Sequence, residues 1–397
     1  MTAFALFLLT LAGLYAAVLL LLRKGLAASI PATNTEQPRV SVIIAARNEE
    51  GCIDRCLQAL QRQRYPKHKL EIIVVDDRSE DGTAARVAAF CQTDPNIHLL
   101  QIRESSGTLA PKKHAIAYGI AHASGDILFT TDADCQPGPC WVAEMVKYFE
   151  PEVGMVAGFN PYQPERGHER LFHEMLALDY FSMAAVAAAC TDLDRPVSCS
   201  GGNLAYRRCV YDEAGGFAAI GSWVSGDDDL FLEHVHQQTS WQIRYARHPR
   251  TFVPTRPPET VGDFFNQRIR YASKCRHYRR PVTLTLVAVY LLNLAMLVGA
   301  GIALVHLSFL PFWLSAFALK SGGEWLFLTK ARRVFSYGFR ARTFLGLALW
   351  HPLYLAIVGV LGQIRPFTWK GHRYRGRLSA ASKTVGQSTE LNAFKQV

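Results

Sequence analysis

The chain has 397 residues, 49% of them hydrophobic, which suffices for one large domain with membrane segments or for two soluble domains. Its formal net charge is +10, a balance that suits nucleic acid, anionic lipid or an anionic substrate. The basic residues cluster beside apolar stretches and no nucleic-acid-binding motif accompanies them, so the charge points to membrane lipids and away from nucleic acid.

In chain order, the apolar run Phe4 to Leu22 comes first. With roughly 20 residues and no internal charge it can cross a ~30 Å hydrocarbon core. Arg23 and Lys24 lie after the run instead of before it, and no small-residue cleavage site is evident, so residues 1–24 read as a retained anchor and not as a signal peptide. The same basic pair predicts a cytoplasmic location for the chain beyond residue 24. Residues 25–38 form a linker. Arg39 to Ala46 is then a β-branched run suited to a buried strand, and Glu49 to Arg62 has helical spacing with Ile53, Leu57 and Leu60 on one face. Leu70 to Val75 is a second strand, ending at Asp76-Asp77. Next come a helix over 82–91, a strand over 98–102, a helix over 112–122 and a strand over 126–131. Such alternation predicts a parallel α/β sheet covered on both faces, with its ligand site beyond the carboxyl ends of the strands.

Residues 150–255 are less regular, and 36–255 are expected to form one domain. Residues 256–281, with Phe264, Phe265, Ile269 and Tyr271 among basic residues, read as an amphipathic segment at the membrane surface. Within 282–365 lie three further apolar stretches, 282–305, 309–328 and 344–361; the second carries Lys320 and Glu324, the third His351 and Pro352. Basic runs at 276–280 and 330–342 also belong on the cytoplasmic side. A full crossing by 344–361 would leave the basic run Arg365 to Arg377 outside, so that stretch is expected to re-enter or to lie at the interface, and 366–397 to form a basic cytosolic tail. Nine cysteines without a paired CxxC pattern fit free thiols in a reducing compartment.

Two acidic groups fall where the sheet would place a ligand. Asp132-Ala133-Asp134, at a strand end, presents two hard oxygen ligands for Mg²⁺ or Mn²⁺, which would hold a diphosphate. An isolated Asp-x-Asp is commonly a solvated turn; its position after DILFTT is what sets this one apart. Asp227-Asp228-Asp229 places three carboxylates in a row between Trp223 and Leu230, Phe231 and Leu232, which suits a pocket where one acts as general base. Lys112 and Lys113 open a helix and are either phosphate contacts or ordinary solvated lysines. A phosphate-binding GxxxxGK[ST] loop, GxGxxG after a strand, HExxH and GxSxG are all absent.

Over residues 39–275 the chain resembles the family 2 inverting glycosyltransferases. The motifs that carry the likeness are VSVIIAARNEE (40–50), VVDDRSEDGT (74–83), PKKHAIAYGI (111–120), TTDADC (130–135), SGGNLAYRR (200–208) and GDDDL (226–230). The resemblance implies an α/β GT-A fold, a Rossmann-like nucleotide-diphospho-sugar transferase domain, here with transmembrane helices. It places Ala45 and Glu49 in the nucleotide-binding turn, Asp77 on the uracil of a uridine diphosphate donor, Lys112 and Lys113 near the phosphates, Asp132 near the ribose or diphosphate, and Asp134 on the metal. Gly202, Asn203 and Asp229 would line the acceptor side. The catalytic base is Asp227 if the register is anchored on Leu230, with Gly226 then standing where the family has Glu, and Asp228 if it is anchored on the acidic pair. QRIRY (267–271) resembles the Gln-x-x-Arg-Trp motif of membrane polysaccharide synthases, with Tyr271 in place of Trp, and implies acceptor or diphosphate contacts for Gln267, Arg268, Arg270 and Tyr271. The function implied is transfer from a nucleotide sugar to a lipid or lipid-linked acceptor, with inversion. A processive polysaccharide synthase and a catalytically inactive membrane scaffold are the alternatives.

Overall fold

The structure is a computed structural model describing residues 1–26, 32–163, 171–370 and 372–374. The first half comprises α1 (Thr2–Gly25), β1 (Val40–Ala46), α2 (Ile53–Gln61), β2 (Leu70–Asp77), α3 (Thr83–Thr93), β3 (Ile97–Ile102), α4 (Pro111–His122), β4 (Ile127–Thr130), α5 (Trp141–Val146) and β5 (Val153–Gly158). Then come α6 (Leu171–Asp192), β6 (Leu204–Arg207), α7 (Arg208–Glu213), α8 (Asp229–Gln238), β7 (Gln242–Ala246) and α9 (Val261–Ala272). The last stretch holds α10 (Arg280–Val305), α11 (Leu310–Val334), α12 (Ala341–Ile364), β8 (Phe367–Trp369) and β9 (His372–Tyr374).

The chain divides into two compact units. A sheet unit takes Pro31–Pro161, Pro196–Arg256 and Phe367–Val397; a helical unit takes Met1–Ile30, Tyr162–Arg195 and Pro257–Pro366. The single domain expected over 36–255 is therefore interrupted, because α6 belongs to the helical unit.

In the sheet unit seven strands lie in the order β3-β2-β1-β4-β6-β5-β7. The four strands on one side are parallel, as the alternation predicted. The other side departs from that expectation: β6 runs antiparallel to both β4 and β5, so the sheet is mixed. Val42, Ile44, Ile72 and Val74 enter one buried cluster, while Ile73 and Val75 enter another. Both faces are thus covered, which is why β1 and β2 read as unbroken apolar runs; each such side chain contributes about 1.5–3 kcal/mol on burial. The register pairs Ala46 with Asp76 and Ile43 with Thr130, bringing the exits of β1, β2 and β4 to one edge.

In the helical unit α1, α6, α10 and α12 are long and apolar enough to cross a membrane. The stretch 344–361, expected to re-enter or to lie at the interface, is part of one continuous 24-residue helix with Pro352 inside it. Proline removes one backbone donor, and long apolar helices tolerate that loss where neighbouring groups re-satisfy the ladder. In α11 the buried Lys320 is 2.7 Å from Glu324, which also accepts from Tyr15 at 3.0 Å. Within the expected tail, β8 and β9 pair antiparallel and group with the sheet unit, while 371 and the chain from 375 lie outside the described residues.

Candidate functional site

The loops after β1 and β2 are tied to one another. Asn48, with φ of +53°, donates its backbone N–H to Ser79 Oγ (3.0 Å) and accepts from the Glu80 N–H (2.8 Å); the Glu49 N–H donates to Thr83 Oγ1 (2.8 Å). Beside them the buried Asp77 accepts a forked pair from Arg78, at 2.8 and 3.2 Å. Ala45 lies one residue inside the end of β1, half-buried, and offers no polar side-chain atom.

After β4 the chain turns so that single ligand atoms of Asp132, Asp134 and Cys135 all lie within 4.8 Å of one another. Burial, then Asp132 and Glu49, push the Asp134 carboxyl up to about 6. Burial, then Asp134, raises the Cys135 thiol well above its usual range, so this sulfur is a neutral thiol and not a thiolate. The strong ligands available are the two carboxylates, a hard oxygen set suited to Mg²⁺ or Mn²⁺ and poorly suited to a soft metal. The backbone leaves room for an ion. A Cβ on Gly202 would stand 2.9 Å from Asn160 Nδ2, 3.0 Å from Cys135 Sγ and 3.1 Å from Asp132 Oδ2, filling the hollow the acids surround. Thr130 and Thr131 hold this glycine pair by donating to the Gly201 and Gly202 carbonyls, both at 2.9 Å.

Lys112 stands at the first turn of α4, behind Pro111. Its ammonium reaches Asp132 at 2.8 Å and Asp227 at 3.0 Å. Burial opposes its charge, but Asp132, Asp227 and Asp228 together outweigh that effect and hold it firmly protonated. The neighbouring Lys113 points the other way. It is fully buried and donates to the Trp223 and Ser225 carbonyls at 2.6 and 3.0 Å, so it is not a solvated lysine, and these two carbonyls hold its ammonium within the fold.

The acidic triple splits into three environments. Gly226 has φ of +92°, a left-handed conformation costly for any residue with a side chain, including the Glu that the Leu230 register would put here. Asp227 faces Lys112. Asp228 caps α8, accepting from the Asp229 N–H at 2.7 Å and from the Gly201 N–H at 3.1 Å. Asp229 is buried at the helix start and accepts from the Leu230 N–H at 2.8 Å. Asn203 is fully buried; its amide donates to the Phe159 and Thr251 carbonyls and accepts from the Trp141 indole, so it braces the site's floor.

Residues 41–215 match the family described as Glycosyl transferase family 2. The chain carries a family 2 glycosyltransferase domain. The glycosyltransferase AglE of Haloferax volcanii is 40% identical over 105 residues, which are 26% of this chain and 33% of that protein. The probable glycosyltransferase YdaM of Bacillus subtilis is 28% identical over 245 residues, covering 60% of this chain and 55% of that one. A poly-beta-1,6-N-acetyl-D-glucosamine synthase of Staphylococcus aureus is 26% identical over 243 residues, 59% of this chain and 53% of that one. The chain thus spans between a third and a little over half of these relatives. Among solved structures, a mannosyltransferase of Pyrobaculum calidifontis in complex with GDP-Man and Mn²⁺ superposes with a TM-score of 0.59 at 23% identity, covering 91% of this chain and 98% of that one. That likeness supports the GT-A fold.

Of the residues singled out in the sequence, the glycosyltransferase domain gathers Lys112, Asp132, Asp134, Gly202, Asp227 and Asp228 around one acidic hollow. Gln267, Arg268, Arg270 and Tyr271 belong to the helical unit, on α9. There Gln267 accepts from the Tyr162 hydroxyl at 3.0 Å, and the buried Arg268 pairs with the buried Asp179 of α6. Asp179 also accepts from Tyr354 of α12 at 2.6 Å. The Tyr271 ring has Arg268, Arg270 and Lys274 within 5.2–5.9 Å of its centroid. Sequence reasoning missed Thr255, which donates to Asp134 at 3.2 Å across 121 residues, a pairing with no local signal.

Proposed function

We propose that this protein is a membrane-bound, divalent-metal-dependent inverting glycosyltransferase that moves a sugar from a nucleoside-diphosphate sugar to a lipid or lipid-linked acceptor at the cytoplasmic face of a cell membrane. One observation carries the reading: a single ammonium, Lys112, bridges the Asp-x-Asp carboxylate Asp132 and the acidic-triple carboxylate Asp227, so the donor motif and the candidate base share one hollow. The family's GT-A fold and the four apolar helices support it. Uridine diphosphate as the carrier rests on the motif around Asp77. The GDP-Man in the mannosyltransferase structure makes guanosine diphosphate the competitor to test.

Asp132 and Asp134 would hold Mg²⁺ or Mn²⁺, which when bound supplies Lewis-acid charge for the departing diphosphate. Lys112, held protonated here, is available to the same leaving group once a donor phosphate competes for it. Asp227 is the base we favour, because both Asp228 oxygens are occupied by backbone N–H groups and by the α8 cap. Asp227 takes the proton of the acceptor hydroxyl, whose oxygen attacks the anomeric carbon opposite the nucleotide; the bond to the diphosphate breaks and the configuration inverts. Gly202 keeps the hollow open, and Asp228 fixes the Gly201 backbone beside it.

A processive synthase is the second reading, favoured by the Staphylococcus aureus relative. Turnover by the detergent-solubilised protein tests both. A panel of UDP- and GDP-sugars is offered with Mn²⁺ or Mg²⁺ and a membrane-lipid extract, with nucleoside diphosphate release and product size as readouts. Release that needs one donor, metal and lipid supports the transferase; a growing polymer supports the synthase; no donor binding in folded protein returns the scaffold alternative.

A further inference from the structure

Past α12 the sequence shows little but positive charge, yet the chain returns to the sheet unit there as a built element. In the β8–β9 pair Trp369 lies opposite His372, and Lys370 follows β8 directly. Lys370 has φ of +48°, a left-handed conformation. Phe367 anchors the hairpin by its burial, and its ring lies 6.1 Å from that of Tyr374.

The hairpin meets both of the loops that frame the donor motifs. At its tip the Lys370 ammonium lies 2.5 Å from Glu49 Oε1, in the loop after β1, while Glu49 Oε2 accepts from the Cys52 thiol at 3.1 Å. Glu49 is also one of the charges that raise the Asp134 carboxyl. At the other end of β9 the half-buried Tyr374 phenol is raised by burial first, then subject to Arg47, Arg78 and Asp77. The hairpin therefore sets a cation against Glu49 and holds Tyr374 among the charges of Arg47, Arg78 and Asp77.

We propose that this hairpin is part of the donor site, with Tyr374 walling the nucleobase end and Lys370, held by Glu49 in the donor-free protein, turning to the diphosphate when donor binds. The ionic logic is an exchange: a diphosphate offers Lys370 more negative charge than the Glu49 carboxylate, and Glu49 regains the freedom to serve the metal side. The hairpin is thus a specificity element supplied by the chain's far end, some 320 positions from Glu49 in sequence. This inference rests on the proposed nucleotide-sugar donor.

The test is equilibrium binding to the full-length, detergent-solubilised protein in Mn²⁺, with UDP and GDP titrated directly and the nucleoside of the tighter binder measured by displacement. Lys370→Asn keeps a residue that tolerates the left-handed turn and removes only the charge. It is expected to weaken the diphosphate about tenfold and to leave the nucleoside unchanged. Tyr374→Ala is expected to weaken nucleoside and diphosphate by the same factor, and Tyr374→Phe to restore most of that loss. Equal losses of nucleoside and diphosphate in Lys370→Asn would show that the hairpin only supports the fold, and unchanged binding in both Lys370→Asn and Tyr374→Ala would show that it stands outside the site; either result overturns the proposal while the donor reading survives. Wild-type protein that binds neither nucleotide overturns the donor reading and the hairpin's role together.

Discussion

Two charge systems in this protein use the same residue types for opposite ends. Around Lys112, one ammonium faces Asp132, Asp227 and Asp228, with Asp134 close behind and Glu49 already paired with Lys370, so negative charge is in excess and partly open to solvent. Around Arg268, one guanidinium meets one carboxylate, Asp179, and both are about 95% buried. Phe264 and Tyr271 cover the guanidinium, with centroids at 5.3 and 5.6 Å. The first system is unbalanced without a further cation; the second is already neutral. Excess buried charge is unfavourable unless something relieves it, so the unbalanced cluster is the one that reads as a ligand site, and the closed pair reads as a fastener between α6 and α9.

The largest expected effect separates the two halves of the acidic triple. Asp227→Asn should lower turnover by about 10²–10⁴-fold with donor binding preserved, because the lost group acts on the transition state. Measurement of turnover beside nucleotide affinity checks this, and near-normal turnover would move the base to Asp228. Next, Arg268→Met should cost about 3–5 kcal/mol of stability by leaving Asp179 buried and unpaired, with nucleotide binding unchanged in the fraction that folds. Thermal unfolding in detergent reads the loss. A fall in nucleotide affinity without a fall in stability would show that Arg268 serves the donor, as the QRIRY motif implies.

Smaller effects probe the hollow itself. Gly202→Ala should weaken Mn²⁺ binding about tenfold, read by electron paramagnetic resonance, because the added methyl occupies the ion's space. The pH dependence has a definite sign. The Asp134 carboxyl titrates at about 6 in the folded protein against 3.8 for the ordinary group, so protons compete with the metal as pH falls through 6 and Mn²⁺ affinity drops. In metal-free protein the folded state binds this proton more readily than the unfolded state. Asp134 therefore destabilises the fold above pH 6, and that penalty fades as pH falls toward 3.8. Asp134→Asn should flatten both trends. The smallest change is expected from Asp228→Asn, about 1 kcal/mol of stability and a few-fold in turnover, since asparagine still caps a helix but offers one acceptor oxygen instead of two.

Much of the sheet unit was legible in the residues. The strands at 40–46, 70–77, 97–102 and 127–130 fall within two residues of their expected limits, because burial on both faces writes itself as continuous apolar runs. The Asp-x-Asp and the acidic triple stood out because carboxylates at a strand end, or three in a row, are conspicuous against such runs. Less legible were the elements whose character depends on what surrounds them. α6 is apolar around most of its circumference and carries no amphipathic stripe, so the region from 150 to 255 read as irregular. β6 is four residues long, and nothing in LAYR states the direction in which it runs.

The sequence by itself determined the strand and helix alternation of the first half, the family, the apolar helices α1, α10 and α12 and the identity of the acidic residues, since each is written in local periodicity or in short motifs. Tertiary structure alone decided how those residues divide their work. Lys112 and Lys113 are adjacent and chemically identical, yet the helical turn of about 100° between neighbours sends one into the acidic hollow and the other into a cage of carbonyls. Asp227 and Asp228 are likewise interchangeable in sequence, until α8 begins just beyond them and claims the second as its cap. Thr255 and Lys370 reach Asp134 and Glu49 only because the chain folds back over more than a hundred residues, and no local pattern records a contact made at that distance.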